Sequence, residues 1–228
     1  MSGSERSLRI EVLEAHPHST DAFTQGLLFS TDGALYEATG LNGRSRLRRV
    51  DHTTGVADAE LHLGEEYFGE GIAEVGDHII WLTYRAGVAH VVDRERLEIV
   101  DRFTYEGEGW GLAALGDALV MSTGDPSRLD LRDRDTFELL DHLPVTRSEW
   151  AGPVNDLVIV DDTIWANTMQ LFVDEILGLD VATGKVTASV DARALLPARD
   201  QRALEDPVND ILNGIAYRAE IGRFFVTG

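Results

Sequence analysis

The feature that most constrains the fold of this chain is a repeat. Five segments begin at Gly26, Gly71, Gly111, Asn155 and Asn213. They read GLLFSTDGALYEATG, GIAEVGDHIIWLTYRAG, GLAALGDALVMSTGDP, NDLVIVDDTIWANTMQ and NGIAYRAEIGRFFVTG. Each runs from a small or polar residue through an apolar triplet and a turn to a strand-like apolar run. The turns TDG, VGDH, LGDA, VDDT and RAEIG lie between alternating apolar residues, which is a hairpin signal. The starts step by 45, 40, 44 and 58 residues. After each of the first four hairpins comes a second pair of strand-like runs, with Asp51, Asp93, Asp133 or Asp180 just before its turn. Four strands in about 45 residues is the pattern of a β-propeller blade. Five units predict an all-β fold, a five-bladed β-propeller, with residues 1–228 as one domain. An irregular β-sandwich is the alternative, and the regular spacing and recurring Asp argue against it.

Two places depart from the period. DARALLPARDQRALEDPVND, residues 191–210, is a helix-like or irregular insert before the fifth unit and accounts for the step of 58. The last unit stops at Gly228 after its second strand. A closed propeller needs complete blades, because closure removes exposed strand edges. The N-terminal run LRIEVLEAH, residues 8–16, is expected to supply one strand of that final blade. At least one more is then lacking, so the sequence predicts either a C-terminus cut short or a small last blade.

Forty acidic and 20 basic residues give a formal charge of −20. Such a surface repels phosphate backbones, so no nucleic-acid partner is expected. No apolar run approaches the roughly 18 residues of a membrane span, so no membrane partner is expected either. MSGSERSLRIEV has no apolar segment of a signal peptide, and the compartment stays open. Cysteine is absent, which removes disulfides and thiolate metal sites. The chain is read as a monomer.

Amide side chains are scarce, eight in all, and five of them are placed alike. Gln25, Asn155, Asn167, Gln170 and Asn213 all fall on the first strand of a unit or the end of its second. Equivalent positions of propeller blades face one end of the central channel, and amides offer both donors and acceptors there. Turn capping by individual Asn residues is the competing reading. Phe23, Phe68 and Trp110 accompany the amides, with Tyr84 close by, whereas Trp165 in TIWAN reads as core. Glu70, in YFGEGIAEV, precedes Gly71 as Gln25 precedes Gly26 and Trp110 precedes Gly111. These three side chains should converge at one mouth of the channel. A carboxylate beside aromatics is partly desolvated, which moves it toward a useful acid–base range.

Other chemistries lack their patterns. There is no GxSxG, and HPH at 16–18 has no helical metal-ligand spacing after it. GEGWG at 107–111 is not GxGxxG in a βαβ unit. DLRDRDTFE at 130–138 lacks the spacing of a calcium loop.

AFTQGLLF, YEATG with SRLRRVD, YFGEGIAEV, GEGWGLA, NDLVIV with IWANTMQ, and ILNGIAY with RFFVTG resemble the plant and bacterial glutaminyl-peptide cyclotransferases, from about His16 to Gly228. That resemblance implies a five-bladed propeller and a reaction in which the α-amine of an N-terminal glutamine attacks its own side-chain amide. Ammonia leaves and pyroglutamate caps the peptide, with no cofactor and no catalytic metal. The implied substrate is a peptide or protein beginning with Gln. Glu70 in FGEG is the implied proton shuttle, and Gln25, Asn155 and Asn167 would hold the substrate amide and backbone. Phe23, Phe68, Tyr84, Trp110 and Met169 would wall the pocket. The chain departs from the family pattern at Tyr84 and Met169, where Trp is usual. It departs also at Asp156 and Val158, where NELEY is usual, and it ends before the Lys that follows VTG. A non-catalytic propeller that binds glutaminyl peptides is therefore an alternative. A calcium-dependent propeller hydrolase of the lactonase type ranks last, since it needs several carboxylates around one axial ion.

Overall fold

Each of the first four units turns back on itself through the recurring Asp. The computed structural model describes residues 4–148, 152–169, 174–193, 195 and 211–228. Asp51 Oδ1 accepts the backbone N–H of Thr53 at 2.8 Å and of Thr54 at 3.1 Å. Asp133 Oδ1 accepts those of Asp135 and Thr136, Asp93 that of Arg96 and Asp180 that of Thr183. A carboxylate bonding the chain two or three residues ahead pins a reversal without help from neighbours. The fifth residue of each turn, Gly55, Leu97, Phe137 or Gly184, has a positive φ of 52–69°. Leu97 and Phe137 adopt this strained conformation while burying their side chains to 5% and 1% exposure, and that burial offsets the strain.

These turns set up four sheets of similar build. The first holds β2 (Thr24–Phe29), β3 (Leu35–Thr39), β4 (Arg46–Val50) and β5 (Ala57–His62). The second holds β6 (Gly69–Val75), β7 (His78–Thr83), β8 (Val88–Asp93) and β9 (Glu98–Thr104). The third holds β10 (Leu112–Leu115), β11 (Ala118–Met121), β12 (Arg128–Asp133) and β13 (Leu139–Pro144). The fourth holds β14 (Val154–Val160), β15 (Thr163–Thr168), β16 (Glu175–Asp180) and β17 (Val186–Asp191). Strands are antiparallel and hydrogen-bonded in chain order within each. The hairpin β18 (Gly214–Arg218) and β19 (Arg223–Thr227) is a separate two-stranded sheet. The first strands adjoin in a ring, β2 to β6, β10, β14, β18 and back to β2.

The architecture is an all-β propeller, but with four complete blades where five were expected. Among the described residues, two strands follow Asn213, and no strand from the N-terminus joins them. The N-terminal strand is shorter and earlier than 8–16. It is β1 (Arg6–Leu8), and it lies parallel on β17 of the fourth sheet, Arg6 opposite Ala188. Arg147 helps to tie it there: its guanidinium grips Glu5 at 2.6 Å and Glu175 of β16 at 2.8 Å. Residues 14–16 do touch the hairpin, but only by side chains: Glu14 pairs with Arg223, and the His16 ring stacks on Phe225. Of the expected insert at 191–210, residues 194 and 196–210 lie outside the described residues.

The core is divided among the gaps between sheets. Tyr36, Leu47, Ile79 and Trp81 fill the first gap, and Leu82, Leu119, Met121 and Phe137 the second. Val120, Leu129, Leu157 and Leu177 fill the third. Two smaller clusters, around Leu27 with Ala216 and around Ile176 with Ile215, hold the hairpin against the first and fourth sheets. Trp165 packs on the last of these, with its ring 5.6 Å from Phe224. Truncating Phe137 to Ala should therefore cost about 3–5 kcal/mol in a urea unfolding titration, as for a buried aromatic. Leu140→Ala, at a site 58% exposed on the outer strand β13, should shift the midpoint little.

Candidate functional site

The first strands of the sheets crowd together at the channel mouth. A Cβ added to Gly26 would lie 2.9 Å from the Gly71 Cα, and one on Gly71 would lie 2.4 Å from the Trp110 carbonyl oxygen. One on Gly111 would lie 2.2 Å from the Asn155 carbonyl oxygen and 2.8 Å from the Asp156 Cα. Real side chains do not fit at such distances, so glycine is required and its φ is not the reason. The contact also corrects the alignment of units. Asn155–Asp156 and Asn213–Gly214 are the counterparts of Gln25–Gly26, Glu70–Gly71 and Trp110–Gly111. One side chain per unit thus stands just before the crowded point.

Bulges aim those side chains. Thr24 pairs with Thr39 and Gly26 with Ala38, which leaves Gln25 as an extra residue. Glu70 and Gly71 together oppose Leu82, and Asn155 and Asp156 together oppose Asn167. A bulge bends its strand and re-aims a side chain out of the ladder. Gln25, Glu70, Asn155 and Asn213 are all 6% exposed or less.

The structure joins four expected wall residues into one arc. Phe23 meets Phe68 edge-on at 6.3 Å between ring centroids, Phe68 lies 5.7 Å from Tyr84, and Tyr84 lies 6.5 Å from Trp110. Met169 takes in the fourth sheet the place of Tyr84 in the second. Its N–H bonds the Pro153 carbonyl as that of Tyr84 bonds Phe68, but its side chain is exposed and outside the arc. Glu108, not singled out in the sequence, completes the arc. It accepts the Trp110 Nε1–H at 3.1 Å and the Arg85 Nε–H at 2.8 Å, and the Arg85 guanidinium lies 4.4 Å from the Tyr84 ring centre. A signal for it was available: Glu108 stands two residues before Trp110, as Phe23 does before Gln25 and Phe68 before Glu70.

The amides form a second group. Asn213 Nδ2–H donates to Gln25 Oε1 at 2.8 Å, and Asn167 Nδ2–H donates to the Leu212 carbonyl at 2.8 Å and to Asn213 Oδ1 at 3.3 Å. Asn155 Oδ1 and Asn167 Oδ1 are buried acceptors with no donor among the described residues. Such atoms are costly to leave unpaired and point to a bound ligand or water. Gln170 lies outside the described residues.

Glu70 receives no hydrogen bond from any described residue. Burial pushes its carboxyl well above the usual carboxylate range, and the charges of Asp156 and Glu108 push it the same way. Asp156 is buried as well and is pushed up to about 8 by burial, against the pull of backbone N–H groups of Ile215, Leu27 and Leu157. The Tyr84 phenol is raised by burial and then by Glu108. The site is thus an apolar arc, a set of amides and an unpaired acid able to hold or release a proton. Among the described residues, no group of three or more His, Asp or Glu side chains is placed to hold a metal ion.

The family model described as glutamine cyclotransferase matches residues 2–228. A glutaminyl-peptide cyclotransferase of Arabidopsis thaliana is 34% identical over 231 residues, covering 99% of this chain and 69% of that protein. The crystal structure of Myxococcus xanthus glutaminyl cyclase superposes with a TM-score of 0.89 at 30% identity, covering 99% of this chain and 94% of that one. The WD40 domain of Neurospora crassa Pan2, at 11% identity and a TM-score of 0.51 over 85% of this chain and 55% of that one, shares the fold alone. Matched along nearly its whole length by sequence and by structure, the chain belongs to the glutamine cyclotransferase family.

Proposed function

We propose that the protein converts the N-terminal glutamine of peptides and proteins to pyroglutamate, with Glu70 moving the proton. The observation that carries this reading is a buried carboxylate without a hydrogen-bond donor, set between an aromatic arc and unpaired amide oxygens. In the reaction the substrate α-amine attacks its own Cδ. One C–N bond forms, the carbonyl oxygen gathers charge, and the C–N bond to the side-chain nitrogen breaks. Ionised Glu70 takes a proton from the attacking amine and returns it to the departing nitrogen, so that ammonia leaves and the carboxylate is restored. Asn213 holds Gln25 by its oxygen, which leaves the Gln25 NH₂ as a donor for the developing oxyanion. Asn155 Oδ1 and Asn167 Oδ1 accept N–H groups of the substrate. Phe23, Phe68, Tyr84 and Trp110 enclose the folded side chain, so that amine and carbonyl meet. Met169 sits at the rim. In this reading the β18–β19 hairpin, seated between β14 and β2, is the inner half of a fifth blade.

Three outcomes follow. In a coupled ammonia-release assay on a Gln-initiated peptide, Glu70→Gln should lower kcat/KM by about 10²–10⁴-fold, the usual worth of a positioned proton-transfer group. Near-normal turnover in that variant would remove Glu70 from the chemistry, and a wild type that binds the peptide but returns it unchanged would make the protein a binding module. In the pH profile of kcat/KM, the acid limb reports the loss of ionised Glu70. Since its folded pKa is raised, the limb should inflect above the ordinary glutamate value of about 4.3 and be missing from the residual activity of Glu70→Gln. Stability should answer with the opposite sign to activity. The folded state binds this proton more tightly than the unfolded chain, so the wild type loses stability as pH rises above the unfolded value of about 4.3. Glu70→Gln should melt higher than the wild type at neutral pH, the gain closing in acid, as read by thermal unfolding across pH.

A further inference from the structure

The fourth unit breaks the glycine pattern of the mouth, and its break is put to use. Where four units have Gly26, Gly71, Gly111 and Gly214, this one has Asp156, 1% exposed. Asp156 Oδ2 accepts the backbone N–H of Leu27 at 3.1 Å and of Ile215 at 2.9 Å. Leu27 lies two residues beyond Gln25, and Ile215 two beyond Asn213. The same two strands meet at the mouth through the bond from Asn213 Nδ2–H to Gln25 Oε1. Elsewhere neighbouring units are joined here by backbone or hydroxyl: Gly71 N–H bonds the Trp110 carbonyl at 2.6 Å, and Ser122 Oγ–H bonds the Asn155 carbonyl at 2.8 Å. Only one carboxylate among the described residues accepts backbone N–H groups from two other first strands.

We propose that Asp156 is a positioning residue for substrate binding: its carboxylate clasps β2 and β18 together, so that Gln25 and Asn213 meet the glutamine side chain as one preset pair. The inference rests on the cyclase reading of the site and assigns Asp156 no contact with the reacting atoms. A clasp that served the fold alone would change the melting temperature and the fraction of active protein. One that presets the amide pair acts on substrate affinity, because a pair left loose must be ordered at each binding event.

The test is a steady-state cyclisation assay on a Gln-initiated peptide with wild type, Asp156→Ala, Asp156→Asn, Asn213→Ala and the Asp156→Ala/Asn213→Ala double variant. Asp156→Ala should raise KM by about tenfold with a smaller change in kcat. Asp156→Asn should recover most of the loss, since its amide oxygen can accept both N–H groups. The double variant should be little worse than Asn213→Ala, because both changes act through the same pair. If Asp156→Ala does not fold, Asp156→Ser takes its place, and the same KM rise is expected. An unchanged KM, or KM effects that simply multiply in the double variant, overturns the clasp while the cyclase reading stands. A wild type that releases no ammonia overturns the cyclase reading, and the clasp's role in it falls too.

Discussion

The close approach of the first strands around the channel is the constraint on which the rest depends. At Gly26, Gly71 and Gly111 a methyl group would overlap the backbone of the next strand. Four of the five first strands carry glycine at this point, and the fourth unit carries Asp156. At Gln25, Glu70 and Asn155, just before a crowded point, the ladder bulges and leaves an extra residue on the first strand. It is turned toward the mouth. Packing therefore creates a ring of five side chains whose identity is free to vary, and here that ring is Gln25, Glu70, Trp110, Asn155 and Asn213.

Charge inside this structure follows partners more than depth. Glu37 is 1% exposed, yet its carboxyl is held below the usual range. Burial alone would raise it, but His18, Thr24 and Arg48 together outweigh burial. His18 Nε2 lies 2.7 Å from Glu37 Oε1, and Thr24 Oγ1–H donates to the same oxygen at 2.7 Å. Glu70, 5% exposed, has no such partners and moves the other way. A paired buried carboxylate is a fixed anion that anchors the N-terminal segment to the first sheet. An unpaired one weakens the fold at neutral pH and gains the ability to exchange a proton near it. The site carries that instability because the surrounding gaps between sheets are filled with Leu, Ile, Val and aromatic residues.

Much of the site was legible because the repeat supplied an internal ruler. Gln25, Glu70 and Trp110 could be set side by side from their place before a glycine, and the resemblance named Phe23, Phe68, Tyr84 and Trp110 as wall residues, which the structure joins into an arc. Glu108 escaped because an acid in a net acidic chain looks like one more solvated charge. Only its position relative to Trp110 sets it apart, and only Arg85 and the Trp110 N–H show it held in place. Asp156 stood out in the sequence only as a departure from the family pattern, and its contacts could not be read there. Its two hydrogen bonds reach 129 and 59 residues along the chain, to Leu27 and Ile215.

The sequence by itself determined the all-β repeat, its hairpins and Asp turns, because those depend on contacts within a few residues. It also determined which residue types reach the mouth, because alternation and equivalent positions are local properties repeated along the chain. Tertiary structure decided which distant edge the N-terminal strand finds. Arg147, pairing with both Glu5 and Glu175, ties that strand to the fourth sheet, and among the described residues the last hairpin is two-stranded. Tertiary structure also decided which buried acids are neutralised by partners and which are not. That balance arises only when strands far apart in sequence exclude water from the same space.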